Sequence, residues 1–221
     1  MASLNLIDIN KIYPNGFHAA HDINLAIEDK EFIVLVGPSG CGKSSLGDAL
    51  LGLLPPQAGE VRRASDLAPT ALQKLWQDPV AAFPRTRSLG QTLGDVAHLH
   101  KAPKGRIDAL LARLRLAPEL LRRRPAAVSG GELQRLALLR AMLARPRFLF
   151  ADEPTSRLDP ITQAEIIGLL AELADEDGMA IALVSHDPVL IDRTADQICR
   201  LDRSVSETGT PQQVDLRHAT A

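Results

Sequence analysis

The residues with the clearest chemistry form a glycine-rich loop between an apolar run and a helical pattern. Residues 37–44 read Gly-Pro-Ser-Gly-Cys-Gly-Lys-Ser. The glycines let the backbone wrap closely around phosphates and turn its N–H groups inward. Lys43 adds a positive charge suited to the β- and γ-phosphates, and the hydroxyl of Ser44 can ligate Mg²⁺. Since a helix N-terminus would add a partial positive charge, the segment predicts a site for nucleotide phosphates.

Two adjacent carboxylates, Asp152 and Glu153, follow closely after the apolar residues 148–150. A buried strand that ends in two carboxylates is suited to phosphoryl transfer: one can hold Mg²⁺, and the next can position or deprotonate the attacking water. Alone, such a pair is more often a helix cap or a solvated surface. Because a phosphate-binding loop lies upstream, we interpret the pair as catalytic.

A second candidate anion site is the sequence Ser129-Gly130-Gly131 before Glu132. Backbone N–H groups, a hydroxyl and a helix dipole would meet there, although an ordinary helix cap has the same composition. One helix start already serves the phosphates. We therefore expect this second one to contact the γ-phosphate bound by a neighbouring subunit.

Gln77 and His186 also follow apolar runs. The carboxyl ends of strands are where sites in α/β sheets cluster, which favours a functional His186, but a structural role stays open. Gln77 by itself would not indicate a function. The pairs His18/His21 and His98/His100 have spacings that a metal could use. No Cys or Asp cluster supports them, so we interpret them as surface residues.

The order of apolar runs and helical patterns predicts the elements that position these residues. The continuous apolar run 32–36 ends in glycine, as in a buried central strand. Strands that alternate with helices indicate an α/β fold with a mainly parallel sheet. The predicted strands are 4–9, 23–27, 32–36, 148–151 and 181–184, and the predicted helices are 43–54, 131–144 and 161–174.

The rest of the chain is organised around that pattern. Residues 57–77 have little strand character outside Val61 and 72–76, and residues 78–127 carry leucines at helical spacing. We expect a single domain over 1–221, with 78–127 as an inserted helical subdomain. The last 15 residues are polar, and we expect them to fray.

Composition excludes several classes of protein. The net charge is -2, which argues against a nucleic-acid partner held by bulk positive charge. Two cysteines, Cys41 and Cys199, have no disulfide or metal spacing, as expected in the cytoplasm. The N-terminus lacks a secretory pattern, and no apolar run approaches the roughly 20 residues of a membrane span. Any membrane role would therefore come through a partner.

Together these motifs resemble the nucleotide-binding subunit of an ABC transporter over roughly residues 4–210. The resemblance implies a P-loop NTPase (RecA-like) core with a mainly parallel sheet, a trimmed antiparallel β-subdomain and the inserted α-helical subdomain. The family's motifs occur in its order: Walker A at 37–45, the Q-loop at Gln77, the signature at 128–132, Walker B at 148–152 with Glu153 next, the D-loop at 156–159 and the switch histidine at His186.

The resemblance also implies roles for these residues. Glu153 would be the general base, and His186 would link the γ-phosphate to it, with Gln77 and Lys43 also serving catalysis. The ligands of Mg²⁺ or of its waters would be Ser44, Gln77 and Asp152. The residues that bind ATP would be Tyr13, which stacks on adenine, Gly37, Pro38, Ser39, Gly40, Cys41, Gly42, Lys43, Ser44 and Ser45, and, across a dimer, Ser129, Gly130, Gly131 and Glu132, with Asp159 communicating between the two sites.

Two positions depart from the family pattern. Glu132 stands where glutamine is usual, and its carboxylate could weaken ATP binding. Arg157 replaces a small residue of the D-loop. The run Gln77-Asp78-Pro79, with 84–85 and 89–90, is similar to the Q-loop region of peptide and nickel importers.

The resemblance predicts an ATP-hydrolysing subunit that energises solute transport, with import of peptide, nickel or a related small solute as the finer expectation. Its implied partners are a second ATP-binding subunit, transmembrane permease subunits and a solute-binding protein, without nucleic acid. It would lie in the cytoplasm, on the inner face of the membrane. Two alternatives stay open: a non-transport ABC ATPase of DNA repair or translation, and a nucleotide-binding subunit with weak or no hydrolysis.

Overall fold

The computed structural model describes residues 4–185, 194–201 and 214–218, which fold into two β-sheets and surrounding helices. The strands are β1 (Leu4–Ile12), β2 (His18–Ile27), β3 (Phe32–Val36), β4 (Ala58–Arg63), β5 (Leu72–Leu75), β6 (Phe148–Asp152), β7 (Ala180–Val184), β8 (Gln197–Leu201) and β9 (Val214–His218). The helices are α1 (Lys43–Leu51), α2 (Leu89–Leu99), α3 (Arg106–Arg113), α4 (Gly130–Met142) and α5 (Pro160–Asp177).

The smaller sheet is antiparallel, with strand order β2-β1-β4. In β2, Ile23, Leu25 and Ile27 are buried while Asn24 and Ala26 between them are exposed, so the predicted alternation of buried and exposed positions is confirmed. The short β4 pairs with β1 and closes this sheet. The prediction of a small antiparallel β-subdomain beside a P-loop core is therefore confirmed.

The larger sheet has the order β5-β6-β7-β3-β8-β9 and is parallel except for β9, which runs antiparallel to β8. The expectation that the last residues fray is wrong for 214–218. There Val214 pairs with Leu201 and His218 with Gln197 in continuous register, because ladder hydrogen bonds form regardless of side-chain polarity.

Two hydrophobic layers cover the parallel sheet, because alternate residues of each strand point to opposite faces. On one face, Val34 packs in a cluster with α4 and α5. On the other, Ile33 and Leu35 pack in a cluster with α1 and the antiparallel sheet. All three are fully buried, and each such side chain stabilises the fold by about 1.5–3 kcal/mol. This packing on both faces holds the strands in place, and with them the residues of the site that follow the strand ends.

Glycines set two helix ends differently from the sequence prediction. The helix predicted for 43–54 ends at Leu51, because Gly52 adopts the left-handed conformation (φ 76°) that closes a helix. The helix predicted for 161–174 extends to Asp177 and ends at Gly178 (φ 66°). Glycine caps therefore decided both ends.

The segment predicted as a helical insert contains α2, α3 and the short 3₁₀ turns Pro79–Ala82, Pro118–Arg122 and Pro125–Ala127. Arg113 of α3 ties this segment to the end of α5, with 2.7 Å contacts to both Glu176 and Asp177. Its boundaries as a subdomain, and the single domain over 1–221, stay predictions. Across the described ranges, none of the helices combines the length and apolar character needed to cross a bilayer.

Candidate active site

The glycine-rich loop joins β3 to α1 and is enclosed by backbone from both sheets. A Cβ atom on Gly42 would lie 1.8 Å from the carbonyl oxygen of Ala19, and one on Gly37 would lie 2.2 Å from that of Leu201. Gly42 also has φ 99° and caps α1 without a side-chain hydrogen bond. The first N–H groups of α1 have no partner within the helix and are therefore suited to bind an anion.

Lys43 is held over the loop by the loop's own carbonyls. Its Nζ donates to the carbonyl oxygens of Gly37 at 2.8 Å and Pro38 at 2.9 Å. The residue is only 6% exposed. The ammonium is thus fixed beside the glycine loop, and its role in binding phosphates stays a prediction.

Ser44 and Asp152 meet where α1 begins and β6 ends. The Ser44 hydroxyl donates to Oδ1 of Asp152 at 2.9 Å. Both are hard oxygen donors, and Mg²⁺ is usually bound by one or two protein oxygens, with phosphates and waters completing its shell. The donor set therefore fits the predicted metal role. The residues described in the structure contain no group of three or more His, Cys, Asp or Glu side chains placed to hold a metal.

Glu153 adopts a backbone conformation that the sequence does not predict. Its φ is 44°, in the left-handed region where a residue with a Cβ pays about 1–2 kcal/mol. Its Oε2 accepts a hydrogen bond from Nε2 of Gln77 at 3.2 Å, and the same amide donates to Oγ of Ser156 at 3.3 Å. The strained turn brings the predicted base and the predicted Q-loop residue into contact.

A cavity of about 310 Å³ opens above these groups. It unites the loop, Gln77, Asp152 and Glu153, and it adds Phe17, which the sequence reading missed. Its lining is Phe17, Ser39, Gly40, Gly42, Lys43, Ser44, Ser45, Gln77, Asp152 and Glu153. A larger depression of about 480 Å³ lies at residues 97–108 of the helical segment and contains none of the predicted site residues.

Tyr13 lies beside the loop rather than in the lining of the cavity. Its hydroxyl is 3.0 Å from Oγ of Ser45, and its ring stacks at 6.2 Å (25° between planes) with that of Phe17. Phe17 is 39% exposed and carries the aromatic surface into the cavity. The signal that could have identified Phe17 is an aromatic residue on the far side of an Asn-Gly turn from Tyr13.

The signature residues form a capping box at the start of α4. The carboxylate of Glu132 accepts hydrogen bonds from the backbone N–H (2.8 Å) and the hydroxyl (2.9 Å) of Ser129. These bonds favour the charged form, so the pKa of Glu132 lies below its usual value. Among the described residues that line the cavity, none comes from 129–132. The signature is thus preformed but is not part of this chain's own phosphate site.

The D-loop packs against the signature. A Cβ on Gly130 would lie 3.4 Å from Cδ2 of Leu158 in the D-loop, and one on Gly131 would lie 2.7 Å from Cγ2 of Thr162 in the first turn of α5. Asp159 caps that helix and accepts a 2.7 Å hydrogen bond from the Thr162 hydroxyl, which lowers the pKa of Asp159. Arg157 lies 3.5 Å from Asp78, next to Gln77. The signature, the D-loop and the Q-loop are thereby joined in one network.

His186 lies outside the described residues, so its predicted contact with Glu153 stays a prediction. Ser185, immediately before it, is described and buried at the end of β7, the neighbour of β6 in the sheet.

Comparison with known proteins agrees with this geometry. The family model described as ABC transporter matches residues 20–156. The sn-glycerol-3-phosphate import ATP-binding protein UgpC of Chromohalobacter salexigens is 37% identical over all of this chain, which spans only 62% of that protein. The zinc import ATP-binding protein ZnuC of Pseudomonas aeruginosa is 38% identical over 90% of this chain and 72% of its own length.

Among solved structures, the dimeric ATP-binding cassette MJ0796 bound to ADP and Pi has a TM-score of 0.79. It is 25% identical to this chain, over 99% of both chains. The similarity therefore extends over the antiparallel sheet, the parallel sheet and the helical segment together. By family model, relatives and fold, the chain belongs to the ATP-binding subunits of ABC transporters, which are ATPases.

Proposed function

We propose that this chain hydrolyses ATP to drive the import of a solute through a membrane permease. The observation that carries the proposal is the cluster around the cavity: Lys43 on the glycine loop, the Ser44–Asp152 pair and the Gln77–Glu153 pair open into one space of about 310 Å³. Binding groups for phosphates and a base for water therefore face the same volume.

In this proposal, the loop N–H groups and Lys43 bind the β- and γ-phosphates and hold them in line for attack. Glu153 positions and deprotonates the attacking water, and Gln77 orients the carboxylate of Glu153 through its amide. The strained turn at Glu153 fixes the direction of that carboxylate. His186 would contact the γ-phosphate from the adjacent strand end.

Ser44 and Asp152 would hold Mg²⁺, and Gln77 would contact it or its waters. When bound, the ion supplies positive charge that offsets charge developing on the phosphates. The Ser44 hydroxyl and Asp152 carboxylate are already 2.9 Å apart, so these two ligands need little reorganisation.

A second subunit would complete the site. Within the described part of this chain, residues 129–132 contribute nothing to the cavity lining, yet they present a helix start with its N–H groups. We propose that this helix start contacts the γ-phosphate held by a partner, head to tail. The dimeric form of the related cassette MJ0796 supports this arrangement.

The remaining partners follow from the relatives. Two of them are named for import, of sn-glycerol-3-phosphate and of zinc, which supports import here but leaves the solute open. Peptide or nickel stays the prediction that the Q-loop region carries. We propose that permease subunits dock near Gln77 and residues 78–100, that a solute-binding protein delivers the solute, and that the chain works on the cytoplasmic face of the membrane.

The variant Glu153→Gln tests the assigned base. The amide keeps the shape but cannot accept a proton, so we expect kcat for ATP hydrolysis to fall at least about 100-fold. Nucleotide binding, measured by fluorescence titration, should persist because the loop is unchanged. As the matched control, Glu172→Gln at an exposed position of α5 should hydrolyse ATP like the parent. A Glu153→Gln protein with the parental rate would refute the assignment.

A further inference from the structure

Lys74 lies beside the metal site, and no motif discussed above includes it. It belongs to β5, next to β6, and its side chain is 7% exposed. Its Nζ lies 4.3 Å from the ring centre of Trp76 and 5.5 Å from that of Phe150, within the range of cation–π attraction. A lysine this deeply buried normally requires a partner charge.

Two carboxylates supply that charge, at unequal distances. Oδ1 of Asp48, on α1, lies 2.6 Å from Nζ, while Oδ2 of Asp152 lies 3.6 Å away. The other oxygen of Asp152 accepts the Ser44 hydroxyl. Asp152 thus has one oxygen at the candidate metal site and the other facing a buried ammonium.

This division creates a competition. An ammonium and a divalent cation near one carboxylate repel each other, strongly so where water is excluded. Asp48 is the closer partner and draws Nζ toward α1, away from Asp152. The charge that would oppose the metal is therefore held back by a second carboxylate.

We infer that the Asp48–Lys74 pair sets the divalent-cation affinity of the site, with Lys74 weakening binding at Asp152 and Asp48 limiting that effect. Both are positioning residues, since neither has a metal-ligand role in the proposed site. The inference rests on the proposed function, in which Ser44 and Asp152 hold Mg²⁺. It predicts changes of opposite sign for the two residues.

The test measures Mn²⁺ affinity by electron paramagnetic resonance titration, with a non-hydrolysable ATP analogue at saturation. Lys74→Met keeps an unbranched side chain for the ring contacts and removes the repelling charge, so binding should tighten about three- to tenfold. Asp48→Asn should weaken binding by a similar factor, because Nζ is then drawn to Asp152 alone.

The double variant Lys74→Met/Asp48→Asn should bind Mn²⁺ about as tightly as Lys74→Met alone, because Asp48 acts on the site only through the Lys74 ammonium. Lys101→Met, at an exposed position of the helical segment, is the matched control and should leave the affinity unchanged. A purely structural pair would lower the melting temperature in both single variants without shifts of opposite sign, and that result would overturn the inference. A parental protein that binds no Mn²⁺ with nucleotide would overturn the proposed metal site itself, and the inference with it.

Discussion

Neighbouring donors decide what the carboxylate of Glu132 can do. The sequence suggested that a negative charge here, where the family has glutamine, could weaken ATP binding. In the folded chain, Ser129 donates two hydrogen bonds to that carboxylate. The charge is therefore turned back toward the helix cap, and its effect on ATP binding stays a prediction.

Replacing Glu132 by glutamine should reveal how much the two hydrogen bonds from Ser129 stabilise the fold, as a difference in stability that depends on pH. Because the folded-state pKa of Glu132 is lowered from 4.5, the carboxylate stabilises the fold above its unfolded pKa, and the stabilisation disappears as pH falls through the folded value. We expect the variant to lose about 0.5 kcal/mol at neutral pH, a value discounted for the solvent at this helix start. The difference should shrink toward zero in acid.

Urea denaturation of both proteins across this pH range measures that difference. Glu119→Gln, which removes one exposed glutamate from a 3₁₀ turn, serves as the control and should change the free energy of unfolding by less than about 0.5 kcal/mol. If the difference for Glu132→Gln grew in acid, the hydrogen bonds to the charged form would not be its source.

Most residue types of the site could be predicted from the sequence, because phosphate chemistry demands glycines, a lysine and carboxylates in a fixed order. Three features could not. The positive φ of Glu153 is a backbone state imposed by the turn after β6. Phe17 enters the cavity only because its turn folds beside the loop, and Lys74 reaches Asp152 only through the pairing of β5 with β6.

At the scale of elements, the contact between α1 and β6 aligns the loop with the carboxylates. A Cβ atom on Gly47 of α1 would lie 2.0 Å from the ring of Phe150 in β6. Both residues are buried. The absence of a side chain at Gly47 therefore allows the helix to lie against the strand at this distance.

Gly47→Ala should destabilise the fold by about 1–3 kcal/mol, because overpacking against Phe150 exceeds the gain of about 1 kcal/mol in helix propensity. The matched control is Gly168→Ala in α5, where an added Cβ meets nothing within 4 Å. That variant should gain about 0.5–1 kcal/mol in the same denaturation experiment. If the two alanine variants changed stability equally, α1 and β6 would have moved apart at little cost, and the close contact at Gly47 would not limit the fold.

The edge strand β9 was less predictable from the sequence than the central strands of its sheet. Apolar runs marked β3, β6 and β7 because both of their faces are buried. β9 has a polar composition, and only its ladder with β8 reveals it. Pairing between distant segments leaves no local signal, whereas burial does.

At the scale of the whole molecule, the proposed ATP site would be divided between two places on the chain: the cavity above the glycine loop, and the helix start at 129–132. The α/β class and the mainly parallel sheet were predictable because strands alternate with helices along the sequence. The small antiparallel sheet was predictable only through the family resemblance. The relation between the two places was likewise predictable only through that resemblance.

If two copies complete each other's sites, the ATPase rate per chain should rise with protein concentration. Mixing tests the geometry directly: Lys43→Ala and Ser129→Arg should each be nearly inactive alone. Together they should recover up to about a quarter of the parental rate, since half of the dimers are mixed and each has one intact site. A rate independent of concentration, without recovery on mixing, would refute self-pairing.

The Tyr13–Ser45 contact has a mechanical consequence. Tyr13 and Phe17 belong to the turn of the small sheet, while Ser45 belongs to the helix on the large sheet, and the two hydroxyls bridge them at 3.0 Å. A nucleotide with its base at the aromatic turn and its phosphates on the loop would span the same seam. Bound nucleotide would therefore link the two sheets and reduce their motion relative to each other. Its release would remove that link in each cycle.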